Sequence, residues 1–80
     1  SQVINEKQNQ SFFDFVNWYR IEEAKKRIGD PAYQQLTLLS IAYDVGFNSK
    51  STFNMAFKKH TNMTPSQFKK FLTSNQMNYH

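Results

Sequence analysis

The tetrapeptide Gly46-Phe47-Asn48-Ser49 constrains this chain more than any other feature. It divides two stretches whose apolar residues recur at helical spacing: Leu38, Ile41, Ala42 and Val45 before it, and Phe53, Ala56 and Phe57 after it. Glycine takes the left-handed backbone that stops a helix at little cost, and serine supplies the side-chain oxygen that caps the next one. Phe47 is left to plug the corner between them. The spacing predicts helices over 38–45 and 50–60, with Thr37 as N-cap of the first and Leu36 stapled onto Ile41.

The flanking segments also read as helical, so the fold class is all-α. Residues 1–8 form a short helical piece with Val3 and Ile4 apolar. Ser11 and Asp14, three apart, read as a capping box with Asp in the Glu/Gln place, opening a helix over 11–28. Phe12, Phe15, Val16, Tyr19, Ala24 and Ile28 define its inward face. Glu22 and Glu23 precede Lys26 and Arg27 by four residues, the favourable orientation for ion pairs. Gly29 ends this helix in the left-handed conformation, Asp30-Pro31 prevents continuation, and a loop covers 30–36. Asn62 is suited to a positive φ after the helix over 50–60. Thr64, Pro65 and Gln67 then form a second capping box, with Met63 stapled onto Phe68. The last helix covers 65–73, and 74–80 reads as a flexible polar tail. The Phe set is read as core.

Composition removes several functions. Without cysteine there is no disulfide framework and no thiolate metal site. No apolar run approaches the roughly 20 residues that span a bilayer, and no secretion leader opens the sequence, so the default location is cytoplasmic. There is no Gly-rich phosphate loop and no nucleophile–histidine–acid constellation. His60 and His80 lack metal-ligand spacing. No catalytic residue, cofactor or metal is expected.

Charge is unevenly spread along the chain. All six acids (Glu6, Asp14, Glu22, Glu23, Asp30, Asp44) lie in residues 1–44, with Lys7, Arg20, Lys25, Lys26 and Arg27. Residues 45–80 carry Lys50, Lys58, Lys59, Lys69 and Lys70 and no acid. A solvated lysine face or a polyanionic partner would each account for this balance. The two central helices and their short Gly turn match a helix-turn-helix, whose second helix enters the DNA major groove. A plain αα-corner shares that turn. The polar outer face of the second helix and the acid-free second half favour DNA. Ser49 and Ser51 also place hydroxyls and free N–H groups at a positive helix end, which suits phosphate.

Taken together, Ile41-Ala42, Gly46-Phe47-Asn48-Ser49, Phe53, Phe57-Lys58-Lys59 and Thr64-Pro65-Ser66-Gln67-Phe68 resemble the AraC/XylS family of bacterial transcription regulators. Arg20-Ile21-Glu22-Glu23-Ala24-Lys25 resembles the start of that family's long central helix. The resemblance covers about residues 11–72 and implies a homeodomain-like bundle with two helix-turn-helix units joined by that helix. On this reading residues 1–9 are a remnant of the first recognition helix, 11–29 the central helix, and 37–73 the complete second unit with its closing helix. Most of the first unit is then missing, which leaves Val3, Phe13 and Trp18 bare and invites self-association or a helix swap.

The resemblance also assigns roles. Lys50, Ser51, Asn54 and Met55 face the bases: lysine donates to guanine O6 or N7, and asparagine pairs with adenine N6 and N7. Many family members carry Arg where Met55 stands, and Met offers only apolar contact, for instance to a thymine methyl. Ser49, Thr52, Lys58 and Lys59 read as phosphate contacts, although Ser49 is first a cap and Lys59 also reads as a plain solvated lysine. Gln2 would face the groove in a complete first unit. Tyr43 is expected to be partly buried, and Lys69 and Lys70 are weaker phosphate candidates. The implied partners are double-stranded DNA and RNA polymerase. The competing reading is a helical protein-interaction module, whose binding would respond less steeply to salt.

Overall fold

A computed structural model describes the backbone of residues 2–78 and the side chains of residues 11–74. Among these residues there are four α-helices and no strand: α1 (Gln2–Ile28), α2 (Leu38–Asp44), α3 (Lys50–Thr61) and α4 (Pro65–Asn78). A 3-10 helix occupies Pro31–Tyr33 within the expected loop, capped by Asp30, whose Oδ1 accepts from Ala32 N at 2.9 Å. The structure bears out the all-α expectation.

The core is small and aromatic. Ile21, Ala24 and Ile28 from α1, Ile41 and Ala42 from α2, Phe47 from the turn, and Phe53, Ala56 and Phe57 from α3 are buried together. Leu38, Val45, Phe68 and Leu72 pack against them. Four rings run in series from the turn to α4: Phe47–Phe53 at 5.4 Å, Phe53–Phe57 at 5.6 Å and Phe57–Phe68 at 5.4 Å between centroids. Tilted and edge-on rings at such distances add to plain area burial. α1 lies against α2 and α3, and α4 packs on α3.

Several details depart from the sequence reading. Ser11 caps nothing, because α1 runs unbroken through it. An N-cap needs extended backbone at the cap residue, and no Gly or Pro at 1–10 interrupts the helix. The expected inward face of α1 holds only towards its C-terminal end, where Ala24 and Ile28 are buried. Phe12, Phe15 and Tyr19 are exposed, as is Phe71, so the Phe set is not wholly core; Phe13 and Trp18 are exposed as expected. At about 100° per residue, Phe12, Phe15 and Tyr19 lie roughly opposite Ile21, Ala24 and Ile28, and only the latter stripe meets α2 and α3. The radius of gyration, 14.7 Å, exceeds the about 11.6 Å of a compact chain of this length.

Gly29 has no positive φ. Asp30 N donates to Arg27 O at 3.2 Å, tightening the end of α1 before Pro31 stops it. The absent side chain at Gly29 matters for packing instead: a Cβ there would lie 3.3 Å from Leu72 Cδ1 of α4. The ion pairs on α1 are Glu23–Arg27 at 3.4 Å, as spacing predicts, and Glu22–Lys25 at 2.9 Å in place of Glu22–Lys26. α4 continues to Asn78 and not to about Thr73, since no Gly or Pro lies in 74–78. The side chains of Gln2 and Val3 lie outside the described residues.

Candidate nucleic-acid interface

The turn between α2 and α3 is built as a helix C-cap motif. Phe47 N donates to Ala42 O at 2.9 Å and Gly46 N to Tyr43 O at 3.1 Å, the paired bonds of a Schellman ending with glycine at its left-handed position. Gly46 has φ +114°, and Phe47 is driven into the core, 3% exposed. Ser49 then begins α3. Its backbone is extended, and its Oγ accepts from Thr52 N at 3.2 Å and lies 2.9 Å from Thr52 Oγ1. Thr37 caps α2 in the same way, accepting from Ser40 N at 3.0 Å.

Three further contacts hold α3 at its far end and set the start of α4. Asn62 closes α3 at φ 63°, donating its N–H to Lys58 O at 2.8 Å. Thr61 Oγ1 donates to the helix and accepts from Met63 N at 3.1 Å. Thr64 Oγ1 accepts from Gln67 N at 3.1 Å while Gln67 Oε1 accepts from Thr64 N at 2.9 Å, the reciprocal box that opens α4. The Asn62 ending and the Thr64 box were legible as local residue patterns.

The candidate residues sit around the outer surface of α3. Ser51, Met55 and Lys58 are spaced i, i+4, i+7 and point away from the core, with Met55 74% exposed. Lys50 and Asn54 lie to one side, lining a groove with Thr37, Leu38, Leu39, Thr64 and Ser66. Thr52, Met55 and Lys59 lie to the other side, where a second groove includes Asn17 of α1. Ser49 and Thr52 are tied to each other, so their hydroxyls are positioned as a pair. Lys59 is also engaged: its Nζ lies 3.0 Å from Asp14 Oδ1 of α1. Tyr43 is 51% exposed, not partly buried, because it follows Ala42 out of the core stripe. Lys69 is half-buried and Lys70 exposed on α4.

Sequence reasoning missed two groups on α1. Arg20 places its guanidinium carbon 5.6 Å from the centre of the Phe47 ring and lies against Gly46, so it covers the turn. Asp14 reaches α3 across 45 residues of sequence. Local patterns carry no signal for either, since both depend on how α1 is laid across the helix pair. Among the described residues no group of three or more His, Cys, Asp or Glu could hold a metal, and no helix is long and apolar enough to cross a membrane.

Comparison with known proteins agrees with this architecture. The chain is 44% identical over 55 residues to an uncharacterised HTH-type transcriptional regulator of Pseudoalteromonas carrageenovora, covering 69% of this chain and 30% of that protein. It is 38% identical over 56 residues to a Proteus vulgaris protein named "Probable transcription factor PqrA", covering 70% of this chain and 43% of that protein. An uncharacterised HTH-type transcriptional regulator of Staphylococcus aureus strain MSSA476 is 36% identical over 87 residues, covering 100% of this chain and 11% of that protein. The chain thus spans less than half the length of each of these relatives. No solved structure matches it significantly. A family model described as a helix-turn-helix domain matches residues 1–70. The chain therefore belongs to the AraC-type helix-turn-helix family of transcriptional regulators.

Proposed function

We propose that this chain binds double-stranded DNA sequence-specifically, with α3 docked in a major groove, as the DNA-binding part of a bacterial transcription regulator. One observation carries the reading: the Schellman ending at Gly46 and the Ser49 cap present an α3 whose outer surface is polar, basic and free of acids. Lys50, Ser51, Asn54 and Met55 face base edges, and Ser49, Thr52, Lys58 and Lys59 face phosphates. Residues 37–73 act as one helix-turn-helix unit with its closing helix, hung on the central helix within 11–29. Cytoplasmic placement, a non-catalytic role and contact with RNA polymerase belong to the same reading; the names of the relatives support its transcriptional part.

The test is fluorescence anisotropy of a labelled duplex at several salt concentrations. The expected result is binding whose log affinity falls with log salt at about −0.9 per phosphate contacted. Lys58→Ala weakens all sequences alike and flattens the slope by about 1, whereas Asn54→Ala costs roughly 1–3 kcal/mol of discrimination on a selected site. Binding insensitive to salt, or none at low salt, would overturn the reading.

Self-association is a second reading with its own observation. Phe12, Phe13, Phe15, Trp18 and Tyr19 are all exposed on α1, with Phe15 stacked on Trp18 at 6.5 Å. At about 200 Å² per aromatic side chain and roughly 60% exposure, they offer about 600 Å² per copy, the low end of a specific interface. A single-strand stacking platform is disfavoured there, since Asp14 is the one formal charge in 11–19.

A further inference from the structure

We propose that Asp14 competes with DNA for Lys59, acting as a built-in brake on the affinity of the α3 face. The proposal rests on the DNA-binding reading. Lys59 Nζ and Asp14 Oδ1 are 3.0 Å apart, and the side chains are 64% and 56% exposed, so the pair is open to solvent and to an incoming phosphate. Such an exposed pair is weak, and phosphate can displace the carboxylate.

The location gives the pair its consequence. Residues 45–80 contain no acid, so α3 contributes only positive charge to its own outer surface. Asp14 is brought to that surface by α1, where it meets Lys59, which lines a groove with Asn17, Thr52 and Met55. Glu22 and Glu23 are paired within α1 instead, with Lys25 and Arg27. Among the described residues Asp14 is the acid whose ion-pair partner lies on α3. A phosphate reaching for Lys59 must break this pair and then sit near the freed carboxylate, whose charge repels it. Both effects are sequence-independent, since they act on the phosphate backbone and not on base edges.

The experiment titrates labelled random-sequence duplex with the parent chain, Asp14→Asn, Lys59→Ala and the double variant across a salt series. Asp14→Asn keeps the side chain's shape and removes its charge. Its affinity is expected to rise about three- to tenfold at low salt on every sequence alike, with the log–log slope steeper by at most about 0.9 as Lys59, shared between Asp14 and phosphate in the parent, engages phosphate fully. In the Lys59→Ala background the slope gain disappears. Parental affinity and slope in Asp14→Asn overturn the proposal. So does a full slope gain in the double variant, which would assign the effect to another cation. Silence from the parent and all variants at low salt is a different outcome: it overturns the DNA reading itself and this proposal with it.

Discussion

Gly46→Ala is the substitution that tests the turn most directly. Gly46 has φ +114°, outside the region an L side chain adopts without strain. The conformational cost is about 1–2 kcal/mol. A Cβ at this position would also lie 2.9 Å from Arg20 Nε and 3.3 Å from its Cζ, so Arg20 must leave its place over the Phe47 ring. A cation–π contact at a partly exposed site is worth about 0.5–1 kcal/mol. The sum is about 1.5–3 kcal/mol, a large part of the roughly 4–12 kcal/mol available to a domain of this size. Urea denaturation monitored by circular dichroism measures it, with the midpoint lowered and the slope m unchanged. In thermal melts the same loss is roughly 10–20 °C. Combining Gly46→Ala with Arg20→Ala isolates the steric part: the double variant should be less destabilised than the sum of the singles by about 0.5–1 kcal/mol. A Gly46→Ala loss within about 0.5 kcal/mol of zero would refute the argument, showing that the turn relaxes to a negative φ without harm.

Named contacts support three more expectations. Thr64→Ala removes one half of the reciprocal box at the start of α4 and should cost about 1 kcal/mol in chemical denaturation, with an unchanged midpoint showing that the cap is not formed. Ser11→Ala should be neutral or stabilising by up to about 0.5 kcal/mol, because Ser11 lies inside a continuous helix where alanine is preferred; a loss near 1 kcal/mol would place a cap, and a break in α1, at Ser11. If the exposed aromatics drive self-association, sedimentation equilibrium should show an oligomer that Phe15→Ser with Trp18→Ser converts to monomer, and a parent that stays monomeric at high concentration would remove that reading.

What the sequence made legible was local. The caps at Thr37, Ser49 and Thr64, the positive φ at Gly46 and Asn62, and the inward set Phe53, Ala56 and Phe57 are each set by a few neighbouring residues and one periodicity. The errors on α1 have a common physical origin. Its 27 residues carry apolar side chains on two opposite stripes, and periodicity alone cannot say which stripe other helices cover. Ile21 was decisive: with Ala24 and Ile28 it defines the buried stripe, while the more aromatic Phe12, Phe15 and Tyr19 lie in water. Gly29 shows the same limit. Its position after Ile28 resembles a helix ending, yet its value lies in letting Leu72 approach. The surface of α3 was legible as a face, but not the engagement of Lys59, because Asp14 reaches it through tertiary packing.

These details divide α3 into residues that hold the fold and residues free to read a partner. Phe53, Ala56 and Phe57 are buried in a series of rings, where truncation of a Phe costs about 3–5 kcal/mol. Lys50, Ser51, Met55 and Lys58 are exposed, and substitutions at such positions usually stay within about 0.5 kcal/mol. On the DNA-binding reading, base preference can therefore change at Lys50, Ser51 and Met55, and overall affinity at Lys58, without endangering the bundle. Ser49, Thr52 and Lys59 fall in neither group. The first two hold the start of α3 through their own hydrogen bonds, and the third ties α3 to α1. A substitution at any of them changes both how the helix is held and what it offers to phosphate, a hydroxyl at Ser49 or Thr52 and a charge at Lys59, so its effect on affinity can be assigned to contact only when stability is measured on the same variant. Lys58, exposed and one residue from Lys59, is the cleaner probe of phosphate contact.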